Sequence, residues 1–338
     1  DREDDGIAED GEPGIEGVLV TLVDGQTFSL SSRTGDYDTN PTHGVFFADM
    51  RVLKLARLRL DGHSVEPLAV HESSANSATF VGRHIPPGQP DVHLLIVRRR
   101  WVGTVWHELL ELRNYGTASA RIVVDLEVAA DFADVFEIKE GHDNGEGEHS
   151  VAVGPHSLAF GWRHGDINRR AELTVDADGV QTSRNGFQWT VELAPGGTWR
   201  THADLAVAIG ERWIERRHHH PNAVGATQRN DDWIAAAPRV RTNDPRLAEA
   251  YATSVTDLAS LRLHDPTGRH RPVVAAGAPW YMTLFGRDAL ITAYMALPID
   301  RDMALGVLEV LAELQGVDTD HATEEQPGRI VHETRQLG

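Results

Sequence analysis

"GVLVTLVDGQTFSLSS" (17–32) sets the period of the first two-thirds of the chain. Val18, Val20 and Leu22 fall on one face of an extended segment, because successive strand side chains point to opposite sides. Asp24-Gly25 supplies hairpin-turn chemistry, and the alternation then resumes. "DMRVLKLARLRLDG" (49–62) repeats the device, with Leu53, Leu55, Leu58 and Leu60 ahead of a second Asp-Gly. "HLLIVRRRWVG", "HELLELRNYGTASARIVVDLEVAADF", "SLAFGWRH", "AELTVDADG" and "FQWTVELAPGGTWRTHADLAVAIG" continue it, separated by Gly, Asn, Asp and Pro. Many short strands with this punctuation predict a mainly β N-terminal domain, a large antiparallel β-sandwich over 17–210. "ADFADVFEIKEG" (130–141) is the one stretch that reads as a short turn or helix. There is no internal repeat.

The period changes near residue 233. "TNDPRLAEAYATSVTDLASLRL" (242–263) opens with Asn243 or Asp244 as a helix cap and Pro245 in the first turn. Leu247, Tyr251, Val255, Leu258 and Leu261 follow at helical spacing. A second helix is predicted from Arg287 to Leu297, stopped by Pro298. A third runs from Asp302 to Gln315, with Met303, Val307, Val310, Leu311 and Leu314 on one stripe and Gly316 as its C-cap. Residues 211–241, rich in Arg, His and Asn, read as a linker, and 242–338 as the helical part. "TEEQPGRIVHETRQLG" (323–338) ends without a closing element. Three striped helices with long connections cannot cover one another, so the expectation is a fragment of a longer protein. A small three-helix cap packed on the sandwich is the alternative.

Composition narrows the function. The chain has 338 residues, a formal charge of −19 and no cysteine. That excludes disulfides, thiolate metal sites and a Cys nucleophile, and it fits a cytoplasmic setting. Residues 1–16 hold eight acids and one base and read as a disordered acidic tail. The remainder is still acidic, which argues against a nucleic-acid partner. There is no apolar run of about 18 residues, so no membrane partner is expected, nor is there a signal pattern. His218, His219 and His220 stand beside Arg216 and Arg217, but adjacent side chains do not converge on one ion. Asp131, Asp134 and Glu137 lack the glycine-bearing calcium loop. No metal and no cofactor are expected.

"GAPWYMTLFGRDALITAYMALPID" (277–300) carries the candidate chemistry. Asp288 falls where a helix begins, which lowers a carboxyl pKa and suits a structural cap paired with Arg287. A general acid needs a raised pKa, and Trp280, Tyr281 and Phe285 could supply the apolar wall for it or stack on sugar rings. The spacing leaves both readings open. "EEQPGRIVHE" (324–333) exposes Glu324, Glu325, Arg329, His332 and Glu333 after a Pro-Gly turn. Such groups can hold polyols through hydrogen bonds, or form a solvated acidic loop. Asn40, His43, Phe46, Asp49 and Arg51 form a loop entering a strand that could face the helical half or rim a pocket.

These blocks, with "FFADMRVLKLARLRLDG" and "LRNYGTASARIVVDLEVAADFADVFEIK", make the chain resemble the bacterial amylo-α-1,6-glucosidase, or glycogen-debranching-type, family from about residue 17 to the end. The resemblance implies a β-sandwich followed by an (α/α)6 barrel, of which this chain would hold the first helices. It also implies inverting hydrolysis of an α-glucan or oligosaccharide partner. Asp288 would be the general acid, Trp280, Tyr281, Phe285, Arg287, Arg329, His332 and Glu333 would bind substrate, and the base would be a Glu in later barrel helices. A fragment lacking that base is expected to be inactive alone. A non-catalytic carbohydrate-binding scaffold, a trehalase-like hydrolase and an inverting phosphorylase are the competing readings.

Overall fold

The computed structural model describes residues 19–335 apart from 39, 104–105, 142–146, 177, 210–211, 215–225, 266–268 and 322–323. The acidic tail and the His218–His220 run lie outside the described residues.

The chain opens as a four-stranded antiparallel meander, β1 (Val20–Asp24), β2 (Thr27–Ser31), β3 (Gly44–Phe47) and β4 (Met50–Leu53). Strands β5 (Leu55–Leu60), β6 (His63–Ser64), β7 (Glu66–Ser74), β8 (Ser77–His84), β9 (Leu94–Val102), β10 (Trp106–Asn114) and β11 (Ala120–Ala129) follow, then helix α1 (Val135–Glu140). After it come β12 (Glu148–Val153), β13 (Ser157–His164), β14 (Ile167–Val175), β15 (Gln181–Ser183), β16 (Gly186–Leu193), β17 (Thr198–Ile209) and β18 (Arg212–Trp213). One nine-stranded sheet has the order β12-β13-β14-β17-β10-β9-β8-β7, with β18 on β17, and a second has β15-β16-β11-β5-β6. Both are antiparallel, as the alternating pattern requires.

The inner faces meet in one core that includes Leu58, Leu60, Ile96, Trp106, Leu112, Val124, Phe160 and Trp189. Two arginines share it. Period two puts Arg98 and Arg100 of β9 on the same face as Leu94 and Ile96. Glu108 of β10 answers both, accepting from Arg98 Nε at 2.9 Å and from Arg100 Nε at 2.8 Å. Asp36 takes Arg98 as well, and the Arg100 guanidinium lies 4.5 Å from the ring of Tyr37. Burial alone would raise the Glu108 carboxyl; Arg100 and Arg98 outweigh it and hold it below the usual range.

The meander is a wall between two cores. Val20, Leu22, Val45 and Phe47 face the sandwich. Val23, Phe28, Leu30 and Phe46 face a second core. This explains why all five residues of β2 are buried. Phe28 and Phe46 stack at 4.5 Å and meet the helical part there.

That part comprises α2 (Ala226–Ala236), α3 (Pro245–Ser260), a short pair β19 (Arg262–Leu263) and β20 (Val273–Val274), α4 (Gly286–Met295) and α5 (Arg301–Glu313). Helix α2 falls inside the segment read as linker. Asp244 caps α3, accepting from the Arg246 amide at 3.0 Å, with Pro245 in the first turn. Asp300 caps α5 through the Asp302 amide at 2.8 Å. The expected Gly316 C-cap is a correction: Leu314 ends α5. Gly316 serves a close approach instead, since a Cβ there would sit 2.4 Å from the Gln326 carbonyl oxygen. No helix among the described residues is long and apolar enough to cross a membrane.

Candidate functional site

Leu284, Phe285 and Gly286 pair with the stretch 332–334. Phe285 and Glu333 form an antiparallel bridge. The Gly286 amide donates to the His332 carbonyl and the Thr334 amide to that of Leu284, each at 3.0 Å. The hydroxyl of buried Thr283 adds a bond to the Thr334 carbonyl. The two sequence blocks, about 45 residues apart, therefore form one backbone wall. Phe285 is edge-on to Tyr281 at 5.6 Å and to His332 at 5.7 Å.

Helix α4 leaves this wall. Phe285 is its N-cap and offers no side-chain acceptor, so Asp288, three residues on, is the acidic group of the first turn. Asp288 is half-exposed, and Arg287 lies 3.9 Å away, almost fully in solvent. Arg287, Leu290 and Ile291 of the helix and Arg329, Ile330, Val331 and His332 of the second block line an open groove of about 400 Å³. Arg329 is held at its far end by Glu324, donating to its carbonyl at 2.6 Å and its carboxylate at 3.1 Å. Glu325 is likewise engaged, accepting from the Val317 amide at 2.8 Å. The acidic loop is thus internally hydrogen-bonded.

Trp280 and Glu333 meet through a residue the sequence reading left out. Arg335 donates to Glu333 Oε2 from Nε at 3.1 Å and from Nη2 at 2.8 Å. It also donates to the Trp280 carbonyl at 3.2 Å and to Asp49 Oδ1 at 2.7 Å. Its guanidinium stacks 4.6 Å from the Phe136 ring of α1 and 5.7 Å from that of Phe285. The signal available was the spacing: in extended chain, residues 333 and 335 share a side. Lys139 of α1 lies 5.5 Å from the Tyr281 ring. Of the two readings left open for the loop holding Asp49 and Arg51, the contacts show the one that faces the helical half: Asp49 meets Arg335, and Phe46 packs in the second core.

The three acids considered for a cation are engaged elsewhere. Asp131 pairs with Arg51. Asp134 caps α1 by accepting from the Phe136 amide at 2.8 Å, and Glu137 closes the capping box on the Asp134 amide at 2.8 Å. Burial pushes the Asp134 carboxyl up, opposed by the Phe136 amide.

Residues 22–204 match the sequence profile of the N-terminal domain of (some) glycogen debranching enzymes. The chain belongs to that family. No curated protein matches it. Among solved structures, a protein provisionally named a kojibiose phosphorylase, from the human microbiome, superposes with a TM-score of 0.62 at 7% identity. The match covers 87% of this chain and 46% of that one, so the chain spans about half the length of that relative. At such identity the likeness shows the fold. A galactose mutarotase related enzyme from Lactobacillus acidophilus matches at a TM-score of 0.35 and 8% identity, covering 59% of this chain and all of that one, 100%. The debranching-type N-terminal domain is thereby shown over residues 22–204.

Proposed function

We propose that the protein hydrolyses α-glucans as a debranching-type α-1,6-glucosidase, with Asp288 as the general acid. The observation that carries this is the pairing of Phe285 and Gly286 with His332 and Glu333. In support, Arg287, Arg329 and His332 line the groove beside this wall, Asp288 follows Arg287 in the first turn of α4, and the Phe285 ring packs edge-on against Tyr281 and His332. In the inverting reaction Asp288 gives its proton to the leaving glycosidic oxygen. A second carboxylate, about 6.5–9.5 Å away across the sugar, takes one from the attacking water. That base is a Glu from further helices of an (α/α)6 barrel. Support for such helices is the apolar surface left open on this half: Tyr294 and Val317 are each 75% exposed, and Met295 and Leu308 also face solvent. Aromatic rings suit the C–H faces of glucose, while Arg329, His332 and Glu333 suit its hydroxyls.

A second reading, an inverting phosphorylase, draws on the name of the fold neighbour. Phosphate would then replace water as the nucleophile.

The test measures glucose released from a branched, phosphorylase-trimmed glycogen dextrin by the full-length protein and its Asp288→Asn variant, with and without phosphate. Glucose from the first alone, independent of phosphate, supports the hydrolase. Glucose 1-phosphate formed only with phosphate moves the reading to the phosphorylase. Full activity in the Asn variant returns Asp288 to a helix-terminal charge.

A further inference from the structure

The turn between β3 and β4 is built against local preference. Phe47 pairs with Met50, so Ala48 and Asp49 are the two loop residues. Both have left-handed backbones, with φ of 44° and 66°. Two-residue turns of this kind favour Asn-Gly, because a Cβ is strained at positive φ. Ala-Asp is a poor local choice, which directs attention to what Asp49 does.

Asp49 is buried, and everything around it fixes its place. Its carbonyl accepts from the Val135 amide at 2.9 Å, tying the turn to α1. Its carboxylate accepts from Arg335 Nη1 at 2.7 Å. The other donors of that guanidinium reach Glu333 and the Trp280 carbonyl. The Phe136 and Phe285 rings lie 4.6 Å and 5.7 Å from the guanidinium. A planar fork held on every edge cannot turn without breaking several contacts at once. Glu333 is engaged only through Oε2. Its Oε1 takes no hydrogen bond from the described residues, and the side chain keeps 29% of its surface open. One oxygen is anchored and the other presented.

We propose that Asp49 is a positioning residue that acts through Arg335 to aim Glu333 at a hydroxyl of the bound glucosyl unit. The β-sandwich thereby sets the geometry of a sugar-binding carboxylate that belongs to the other half of the chain. This rests on the α-glucan reading above. Asp49 does not touch substrate. It fixes the guanidinium from the side opposite Glu333, and without it Arg335 can swing and carry Glu333 with it. Arg335→Lys should have the same consequence, because a point charge on a flexible stem cannot hold three partners in one plane.

The experiment is a double-mutant cycle in the full-length protein, reading KM and kcat separately on the branched dextrin, with Tm recorded for each variant. Glu333→Gln is expected to raise KM about tenfold or more with a smaller change in kcat, as loss of a substrate hydrogen bond does. Asp49→Asn should raise KM several-fold in the wild-type background and less than about twofold when Glu333 is already Gln, because interacting residues are non-additive. Ala48→Gly relaxes the same turn without touching the carboxylate and should leave KM unchanged. Additive KM effects of Asp49→Asn and Glu333→Gln, or a KM that follows Tm across all variants, would overturn the proposal while leaving the hydrolase reading intact. If the wild type turns over no α-glucoside, the hydrolase reading fails, and the same cycle is read in calorimetric binding of isomaltose-type and maltose-type oligosaccharides. Non-additive binding losses would then sustain the positioning role. Additive losses, or no binding, would end it.

Discussion

The amide of Gly286 donates to the carbonyl of His332 at 3.0 Å. This bond, with the flanking Thr334 to Leu284 bond, makes one structural unit of two distant motifs. It also explains the glycine. A Cβ on Gly286 would lie 2.3 Å from the Val331 carbonyl oxygen and 3.0 Å from Ile330 Cγ2. The strand carrying His332 and Glu333 can approach α4 only because the helix starts without a side chain at that point.

Gly286→Ala should therefore destabilise the protein. In open space the change would favour a helix, by up to about 1 kcal/mol. Here the clash with backbone dominates, and the expected loss is about 1–3 kcal/mol, typical of overpacking. Urea unfolding of wild type and variant measures it. A gain in stability would mean that the two blocks separate easily, and that the groove between them is not a fixed feature.

The sheets were legible because their signal is local. The Asp61-Gly62 turn and the alternation of Leu58 and Leu60 are written in consecutive residues, and both appear as read, with positive φ at the two turn positions. The ends of α3 were equally plain, from Asp244 and Pro245. What could not be read was long-range. "HLLIVRRRWVG" reads as a strand, but that Arg98 and Arg100 point into the core rests on Glu108 and Asp36, which meet them there. Nothing in the order of residues announces that partnership. The same holds at the site. Trp280, Phe285 and Glu333 were singled out by resemblance and type, whereas Arg335 depends on Asp49, nearly the whole chain away. Gly316 misled for a related reason: a glycine after a helix suggests a left-handed cap, but this one admits a neighbouring backbone.

The buried arginines make Glu108 a sensitive position. It is 4% exposed and serves two guanidiniums that are themselves nearly inaccessible. Glu108→Gln removes the charge that offsets them and can satisfy only part of their donors. A loss of about 3–5 kcal/mol is expected, since one partner of a buried ion network is left uncompensated. Chemical denaturation at neutral pH checks it. A loss below about 1 kcal/mol would mean that water reaches this part of the core.

Asp300 has two tasks that one substitution removes. One carboxylate oxygen caps α5 through the Asp302 amide, and the other accepts from Trp233 Nε1 of α2 at 2.7 Å. A lost cap costs about 1 kcal/mol and a lost charge-assisted bond a similar amount or more. Asp300→Ala should lower stability by about 2 kcal/mol, and Trp233→Phe by roughly half of that. Thermal unfolding of both variants separates the two contributions. Equal losses would assign the whole effect to the Trp233 bond.

Asp24 should be a net burden at neutral pH. It ends β1, where Oδ1 accepts from the Asn230 side chain of α2 at 2.8 Å. Part of the residue reaches the surface, but Oδ2 is buried and has no partner among the described residues. Burial pushes the carboxyl up from 3.8 to about 6, against the pull of Asn230 and Arg229. The folded pKa exceeds the unfolded one, so the favourable contribution is complete below about pH 4 and is lost as pH rises through about 6. His264, held down to about 4 by burial and by Arg262 and Arg229, acts oppositely in the same window, with stability lost as pH falls through it. The wild-type profile alone therefore mixes the two. The informative quantity is the difference between wild type and Asp24→Asn. The amide keeps an acceptor for Asn230 and carries no charge. It should match wild type near pH 4 and exceed it by about 1–3 kcal/mol near pH 7.5, since each unit of pKa shift corresponds to about 1.4 kcal/mol. Unfolding midpoints at half-unit pH steps test this. A difference curve that is flat from pH 4 to 7.5 would show that Asp24 ionises in the folded protein as easily as in the unfolded chain.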